Sequence, residues 1–341
     1  MRAFIVGGQL RESDESFDVR SPWDDSLVES VAVPRDSDIE DAAALAHTTF
    51  AESRLLPAHV RIDALTHISQ RLDEQRDELA TQIAREGGKP LKWARVEAAR
   101  AVSTFRIAAE EVRRWGGDFL RLDTEASLGA RAAIVRRFPI GPVLGIAPFN
   151  FPLNLVAHKV APALAVGAPI VVKPATATPL SALSLAEIIA ETELPKGMIS
   201  VLPVSGARAE QLVRDRRFPK VSFTGSTDVG WRIKALEPRK RFTLELGGNA
   251  GVIVHSDADL DRASERIAFG GYYQAGQSCI SVQRILVQSQ VFDSFSTRLV
   301  KQVSGLVVGD PLDPATDVGP LIDTGALDRV ESWVQEAESQ G

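Results

Sequence analysis

One cysteine occurs in the chain, Cys279, within "YYQAGQSCIS" at 272–281. A lone cysteine is most often a small buried hydrophobe. This one follows Gly276, Gln277 and Ser278 rather than an apolar run, which suits a reachable thiol. A thiolate is intrinsically nucleophilic near neutral pH and can add to a carbonyl carbon. The adduct's oxyanion needs donors placed in advance. Asn150, in "PFNFPLN" at 148–154, offers a side-chain NH2, and Cys279 offers its own N–H. If the adduct loses hydride, a thioester remains, and its hydrolysis needs a general base. Glu245, in "LELGGNA" at 244–250, stands beside Gly247 and Gly248, a pair that lets backbone and ligand approach closely. His158 reads as a structural or surface residue rather than a partner for Cys279. His47, His59, His67 and His255 are scattered without metal-ligand spacing, so no metal is expected.

These residues need a frame. Residues 35–118 read helical, with Asp36 or Ser37 as a first N-cap. A second helix opens at Pro57, keeps Ile62, Leu65, Ile68, Leu72, Leu79 and Ile83 at helical spacing, and stops at Gly87-Gly88. A third runs from Lys89 or Pro90 to about Trp115. From residue 131 the texture alternates. Short apolar strands ("PVLGIAPFN", "PIVVKP", "MISVLPV", "KVSFTG", "FTLELGG") are separated by amphipathic helices. That pattern predicts βαβ units and a parallel sheet covered on both faces. After residue 247 come strand "GVIVHS", a helix over 259–275, strand "VQRILVQ" and a helix over 290–304.

A dinucleotide would bind at the C-terminal edge of such a sheet. G-x-G-x-x-G is absent. "SFTGSTDVG" instead ends a strand at Thr224, turns at Gly225 and opens a helix at Ser226, where amides and hydroxyls can meet a pyrophosphate. Alone, such a turn is more often structural. Lys173 in "VVKPA" reads either as a solvated charge or as a donor to ribose hydroxyls.

Hydrophobic residues are 44% and charged residues 25%, ordinary for a globular protein, and the length predicts two domains. The net charge of −6 speaks against nonspecific binding to nucleic acid or membrane. A single cysteine fits a reducing compartment. No signal-peptide core or membrane-spanning run is present, so a cytoplasmic location is expected.

"PFNFPLN", "KPA", "FTGST", "LELGGNA" and "GQSC", in this order, resemble the aldehyde dehydrogenase superfamily, from about residue 7 to the last residue. The resemblance implies an α/β fold: a doubly wound parallel-sheet cofactor domain over 1–246 and an incomplete α/β catalytic domain over 247–341. Within the first, a β segment at about 119–139 would serve oligomerisation, to a homodimer or homotetramer. Cys279 matches the nucleophile, Glu245 the general base and Asn150 the oxyanion-stabilising amide. NAD or NADP is the implied cofactor, with Lys173 on the adenosine ribose, Ser226 at the pyrophosphate and Gly206 near the adenine. Ile146, Pro148, Thr176, Phe223, Thr224, Gly225, Val229, Gly230 and Leu246 complete that set. Strictly NAD-dependent members often carry glutamate where this chain has Thr176, so use of both cofactors is expected.

The family's general-base glutamate points to water as acceptor and a free acid as product. Family members continue beyond "ESWVQEAESQG" into an E-x-F-G-P-type motif, so the resemblance implies a C-terminally truncated chain. A non-catalytic remnant and a cofactor-independent thiol hydrolase are the alternatives. "CISVQRI" and "ELGGNAGVIVHSDAD" look most like the branch acting on lactaldehyde and small anionic aldehydes. The helix over 95–114 would line the substrate tunnel. Arg100 would then face an anionic substrate, with Phe151 beside it and Arg106 under two turns further on.

Overall fold

The computed structural model describes residues 1–340. The chain opens with β1 (Phe4–Val6) and β2 (Gln9–Arg11), an antiparallel hairpin turning at Gly7 and Gly8. Both glycines have positive φ, 60° and 79°, which a two-residue hairpin turn demands. A second hairpin, β3 (Ser16–Arg20) and β4 (Leu27–Ala32), follows. Four helices come next: α1 (Asp36–Ser53), α2 (Ala58–Glu74), α3 (Arg76–Gly87) and α4 (Leu91–Arg114). The single helix expected between Pro57 and Gly88 is thus two, broken at Gln75 (φ −97°, ψ 11°). The apolar spacing persists across the break, so periodicity alone could not reveal it. The first N-cap is Arg35 rather than Asp36 or Ser37. Its N–H donates to the Asp38 carboxylate at 2.9 Å.

After β5 (Asp118–Arg121) and β6 (Ala132–Val135), an antiparallel pair, the βαβ series begins. It runs β7 (Val143–Ile146), α5 (Asn154–Val166), β8 (Ile170–Lys173), α6 (Leu180–Ala190), β9 (Ile199–Val201), α7 (Gly206–Arg214), β10 (Lys220–Thr224), α8 (Thr227–Leu236), β11 (Arg241–Glu245). The seven-stranded sheet has the order β11-β10-β7-β8-β9-β1-β2. Its first five strands are parallel, as the alternation predicts. The hairpin β1–β2 extends it antiparallel, which three-residue strands gave no periodicity to announce. Strands β8 and β9 are wholly buried, whereas β10 and β11 alternate with half-buried or exposed positions. Ile146, Lys173, Thr224 and Glu245 end their strands at one edge of the sheet.

The remainder comprises β12 (Ala250–Val254), α9 (Leu260–Tyr272), β13 (Val282–Val287), α10 (Phe292–Ser304) and α11 (Thr324–Gln340). β12 and β13 pair in parallel as a separate sheet. Val254, Ile267 and Phe295 form its own small core, distinct from the large one that fills the first part. Among the described residues no helix is long and apolar enough to cross a membrane.

Candidate active site

The C-terminal edge of the sheet opens into a cavity of about 800 Å³. Cys279, Asn150 and Glu245, which come from three separate stretches of the sequence, all line it. So do Ile146, Pro148, Lys173, Thr176 and Gly206. Phe223, Thr224, Gly225, Ser226, Val229 and Leu246 form the wall over β10 and α8. Gly230 is outside that lining. A Cβ there would come within 2.4 Å of Leu246 Cδ2, so its bareness serves the packing of α8 on the strand beneath. Phe151 and Arg100 also lie outside the lining and meet each other instead.

Cys279 is exposed. The chain reaches it through Gln274, Ala275 and Gly276, all with positive φ (54°, 55°, 71°). Left-handed backbone at two non-glycine residues persists only where the surroundings hold it. Asn150 supplies part of that hold: its Nδ2 donates to the Gln277 carbonyl at 2.8 Å, and its own carbonyl accepts from Gln274 Nε2. Turning the Asn150 amide over would set two oxygens against each other, so the NH2 faces the cysteine loop with one hydrogen still to give. A Cβ at Gly248 would stand 2.9 Å from the Cys279 carbonyl oxygen. Only glycine lets the Glu245–Gly248 turn lie this close. Glu245 is exposed at the end of β11, opposite Thr224 in register.

Sequence reasoning missed Lys159. It is nearly buried in α5, and its ammonium donates to Thr224 Oγ1 at 2.6 Å. Burial brings its pKa down to about 8, with the charge of Glu245 opposing. His158, the next residue, has its pKa lowered by partial burial, then by Arg100 and Lys159, with Glu245 again opposing. Burial also lowers Lys173. The wall from α11 was missed as well: Ala326, Arg329, Val330 and Trp333 line the cavity. Their i, i+3, i+4, i+7 spacing was the available signal. Gln277 ties this wall down by accepting from the Ile322 N–H at 3.0 Å.

Arg100 is exposed, 5.8 Å from the centroid of Phe151, and among the described residues no carboxylate lies within the 4.0 Å of an ion pair. Phe151 packs in turn against Tyr273, at 6.1 Å between ring centroids. Burial pushes the Tyr273 phenol up to about 12. Arg106 bonds Glu110 at 2.6 Å on the exposed side of α4, which leaves it to the surface. Among the described residues no group of three His, Cys, Asp or Glu side chains could hold a metal ion.

The sheet edge, the open helix N-terminus and the reachable thiol together describe a dinucleotide-dependent oxidoreductase. Residues 10–341 match the sequence model of the aldehyde dehydrogenase family. The chain is 37% identical to 3-sulfolactaldehyde dehydrogenase of Priestia megaterium, over 98% of this chain and 70% of that one. It superposes on aldehyde dehydrogenase 21 of Physcomitrella patens, solved with the reaction product succinate, with a TM-score of 0.96. Identity there is 40%, and all of this chain and 71% of that one are covered. NADP-dependent glyceraldehyde-3-phosphate dehydrogenase of Bacillus halodurans, complexed with NADP, gives a TM-score of 0.96 at 31% identity, covering 100% and 72%. The chain belongs to the aldehyde dehydrogenase family. It is an oxidoreductase that uses NAD or NADP to oxidise an aldehyde, and it spans about 70% of the length of these relatives.

Proposed function

We propose that Cys279, Asn150 and Glu245 oxidise a small anionic or hydroxylated aldehyde to its acid through a thioester on Cys279. The carrying observation is that all three line one cavity at the sheet edge, with Asn150 bonded to the cysteine loop and the turn after Glu245 packed close against it.

The residues present fit a dinucleotide. Ser226, at the N-terminus of α8, makes no capping bond with its side chain, so the first amides of that helix are open to a pyrophosphate. Nothing lies within 4 Å of a Cβ at Gly206, which leaves room for a flat base. Lys173 would take the adenosine ribose. Thr176 is exposed and uncharged, so it offers no carboxylate to repel a 2′-phosphate, and both cofactors are expected to serve. Comparing kcat/KM for the two measures that. When bound, the nicotinamide supplies the hydride acceptor.

The chain's own part begins with Cys279. Its thiolate forms an Sγ–C bond, and the carbonyl π pair moves to oxygen. The remaining Asn150 Nδ2 hydrogen and the Cys279 N–H stabilise that oxyanion. Loss of hydride from the same carbon leaves the thioester. Glu245 takes a proton from water, the oxygen adds to the thioester carbon, and Cys279 departs with the C–S pair. The acid is released and the thiolate restored.

Arg100 supports the substrate class. A guanidinium without an acidic partner, held beside Phe151, can present its fork to a carboxylate, phosphate or sulfonate. The named or bound compounds of the three relatives, sulfolactaldehyde, succinate and glyceraldehyde 3-phosphate, are all small anions. Cys279→Ala tests the whole reading: NAD(P) binding stays within about threefold while aldehyde oxidation is lost. Turnover near wild type would rule out the thioester route.

A further inference from the structure

Lys89 and Glu97 form an ion pair with both partners fully buried, at 1% and 0% side-chain exposure. Neither lines the cavity. A buried ion pair is weak support for stability, because desolvation offsets most of its Coulomb gain. Its surroundings show what else it does.

Glu97 turns one oxygen to the Lys89 ammonium. Its other oxygen, Oε1, accepts from the N–H groups of Leu153 at 3.0 Å and Asn154 at 3.1 Å. Those are the first amides of α5, which has no side-chain cap of its own. The Lys89 ammonium stands 3.9 Å from the centroid of Phe151. Thr104 of α4 adds a bond to Asn154 Oδ1 at 3.4 Å. Asn150 lies at the head of this pinned stretch. One Nδ2 hydrogen and its carbonyl are engaged by the cysteine loop, and the direction of the other hydrogen depends on where residues 151–154 are held.

We propose that the Lys89–Glu97 pair is the positioning device of the oxyanion site. Glu97 pins the amides of Leu153 and Asn154, Lys89 pins Phe151, and together they set Asn150 against the Cys279 loop. This rests on the reading of Asn150 as the oxyanion donor. Neither residue touches the substrate. They act through Asn150, where a misplacement of about 1 Å can cost ~10²-fold in rate.

The test compares two reactions of Cys279 in the purified chain. With 4-nitrophenyl acetate, Sγ bonds to the acyl carbon and 4-nitrophenolate leaves with its electron pair, by way of an oxyanion. With iodoacetamide, Sγ displaces iodide and no oxyanion forms. The ratio of the two rate constants, corrected with Cys279→Ala, isolates oxyanion stabilisation from thiol reactivity. Asn150→Ala sets the scale, an expected fall of about 10²-fold. Glu97→Leu is expected to lower the ratio at least about tenfold, by the same misplacement argument, with alkylation nearly unchanged. Lys89→Met with Glu97→Gln keeps an amide oxygen for both N–H groups but removes the cation over Phe151, so its ratio is expected to fall between those of the wild type and Glu97→Leu. A folded Glu97→Leu with the wild-type ratio, beside a depressed Asn150→Ala, would overturn the proposal and leave the pair a purely structural one. If Glu97→Leu does not fold, Glu97→Asp replaces it: the charge stays but the carboxylate is withdrawn by one methylene. An unchanged ratio there overturns the proposal equally. An unchanged ratio in Asn150→Ala would instead bring down the oxyanion reading on which it stands.

Discussion

Each side chain of the site is asked for one property, and that property can be measured. Glu245 is exposed at the cavity, where a water can reach it, and in the proposed route its task falls after the thioester has formed. General-base help is worth ~10²–10⁴-fold. Glu245→Gln should therefore leave a burst of reduced cofactor equal to the enzyme, followed by slow turnover. Loss of the burst with normal cofactor binding would give Glu245 another role. Arg100 has the opposite signature, since it would act on binding the far end of the aldehyde. Charge-assisted hydrogen bonds are worth ~1.5–3 kcal/mol, or one to two orders of magnitude in kcat/KM. Arg100→Leu should cost the oxidation of a short anionic aldehyde that much and spare hexanal. An unchanged ranking of the two would mean that Arg100 is a solvated surface residue.

At the scale of elements, the helices α3 and α4 do more than pack on α6 and α5. Each sends a fully buried carboxylate to the N-terminus of a helix that follows a sheet strand. Glu97 does so for α5. Glu86 does so for α6, accepting from Leu180 N at 2.8 Å, Ser181 N at 3.0 Å and the Ser181 hydroxyl. Burial pushes the Glu86 carboxyl up to about 7, against the pull of those donors, with Glu97 adding to the rise. A raised carboxyl pKa means that the folded state holds a proton the unfolded chain has lost. Its contribution to stability is complete below the unfolded pKa of 4.5 and declines as pH rises to about 7. By the usual conversion the decline is up to about 3 kcal/mol. The unfolding free energy from denaturant titration should fall between pH 5 and pH 8, and Glu86→Gln should flatten that fall. Equal slopes in the two proteins would show Glu86 ionised throughout.

The same carboxylates mark where sequence reading stopped. That Cys279, Asn150 and Glu245 belong around one cavity was legible because each sits in a short stretch of glycines, prolines or polar residues at a strand or helix end. The strands β7 to β11 were legible from runs of apolar residues between helices. Glu97 was invisible because its partners lie 8 residues back and 56 residues ahead, on a helix whose other charges face water. The break at Gln75 and the three-residue strands β1 and β2 leave no mark on hydrophobic periodicity. Gly230 reads like part of a phosphate turn, yet only the packed structure shows it facing Leu246.

At the scale of the whole molecule, the apolar surface is not evenly covered. The pair β5–β6 stands apart from the main sheet and exposes Phe119 (69%), Ile134 (75%) and, just beyond, Phe138 (53%). A two-stranded hairpin is marginally stable alone in water, and its outer edges offer unpaired backbone groups. Burying large apolar side chains returns about 25 cal/mol per Å² removed from water. A second copy of the chain, bringing the same segment, would cover both deficits at once through a self-complementary contact. Arg137 and Asp118 already pair within the hairpin at 2.8 Å, so its two strands hold their register without a partner. The expected outcome is self-association through this segment, with sedimentation velocity giving a mass at least twice the 36.9 kDa of one chain. The outer faces of β12–β13 and α11 are also apolar, at Ile253, Leu286 and Val334 for example, and they compete for the same explanation. Phe119→Asp with Ile134→Asp separates the two. Placed on exposed positions of a peripheral hairpin, these changes should leave the unfolding midpoint of the monomer nearly unaltered and shift the sedimenting species to one chain. A mutant that still sediments as the wild type does would move the contact to the β12–β13 and α11 face.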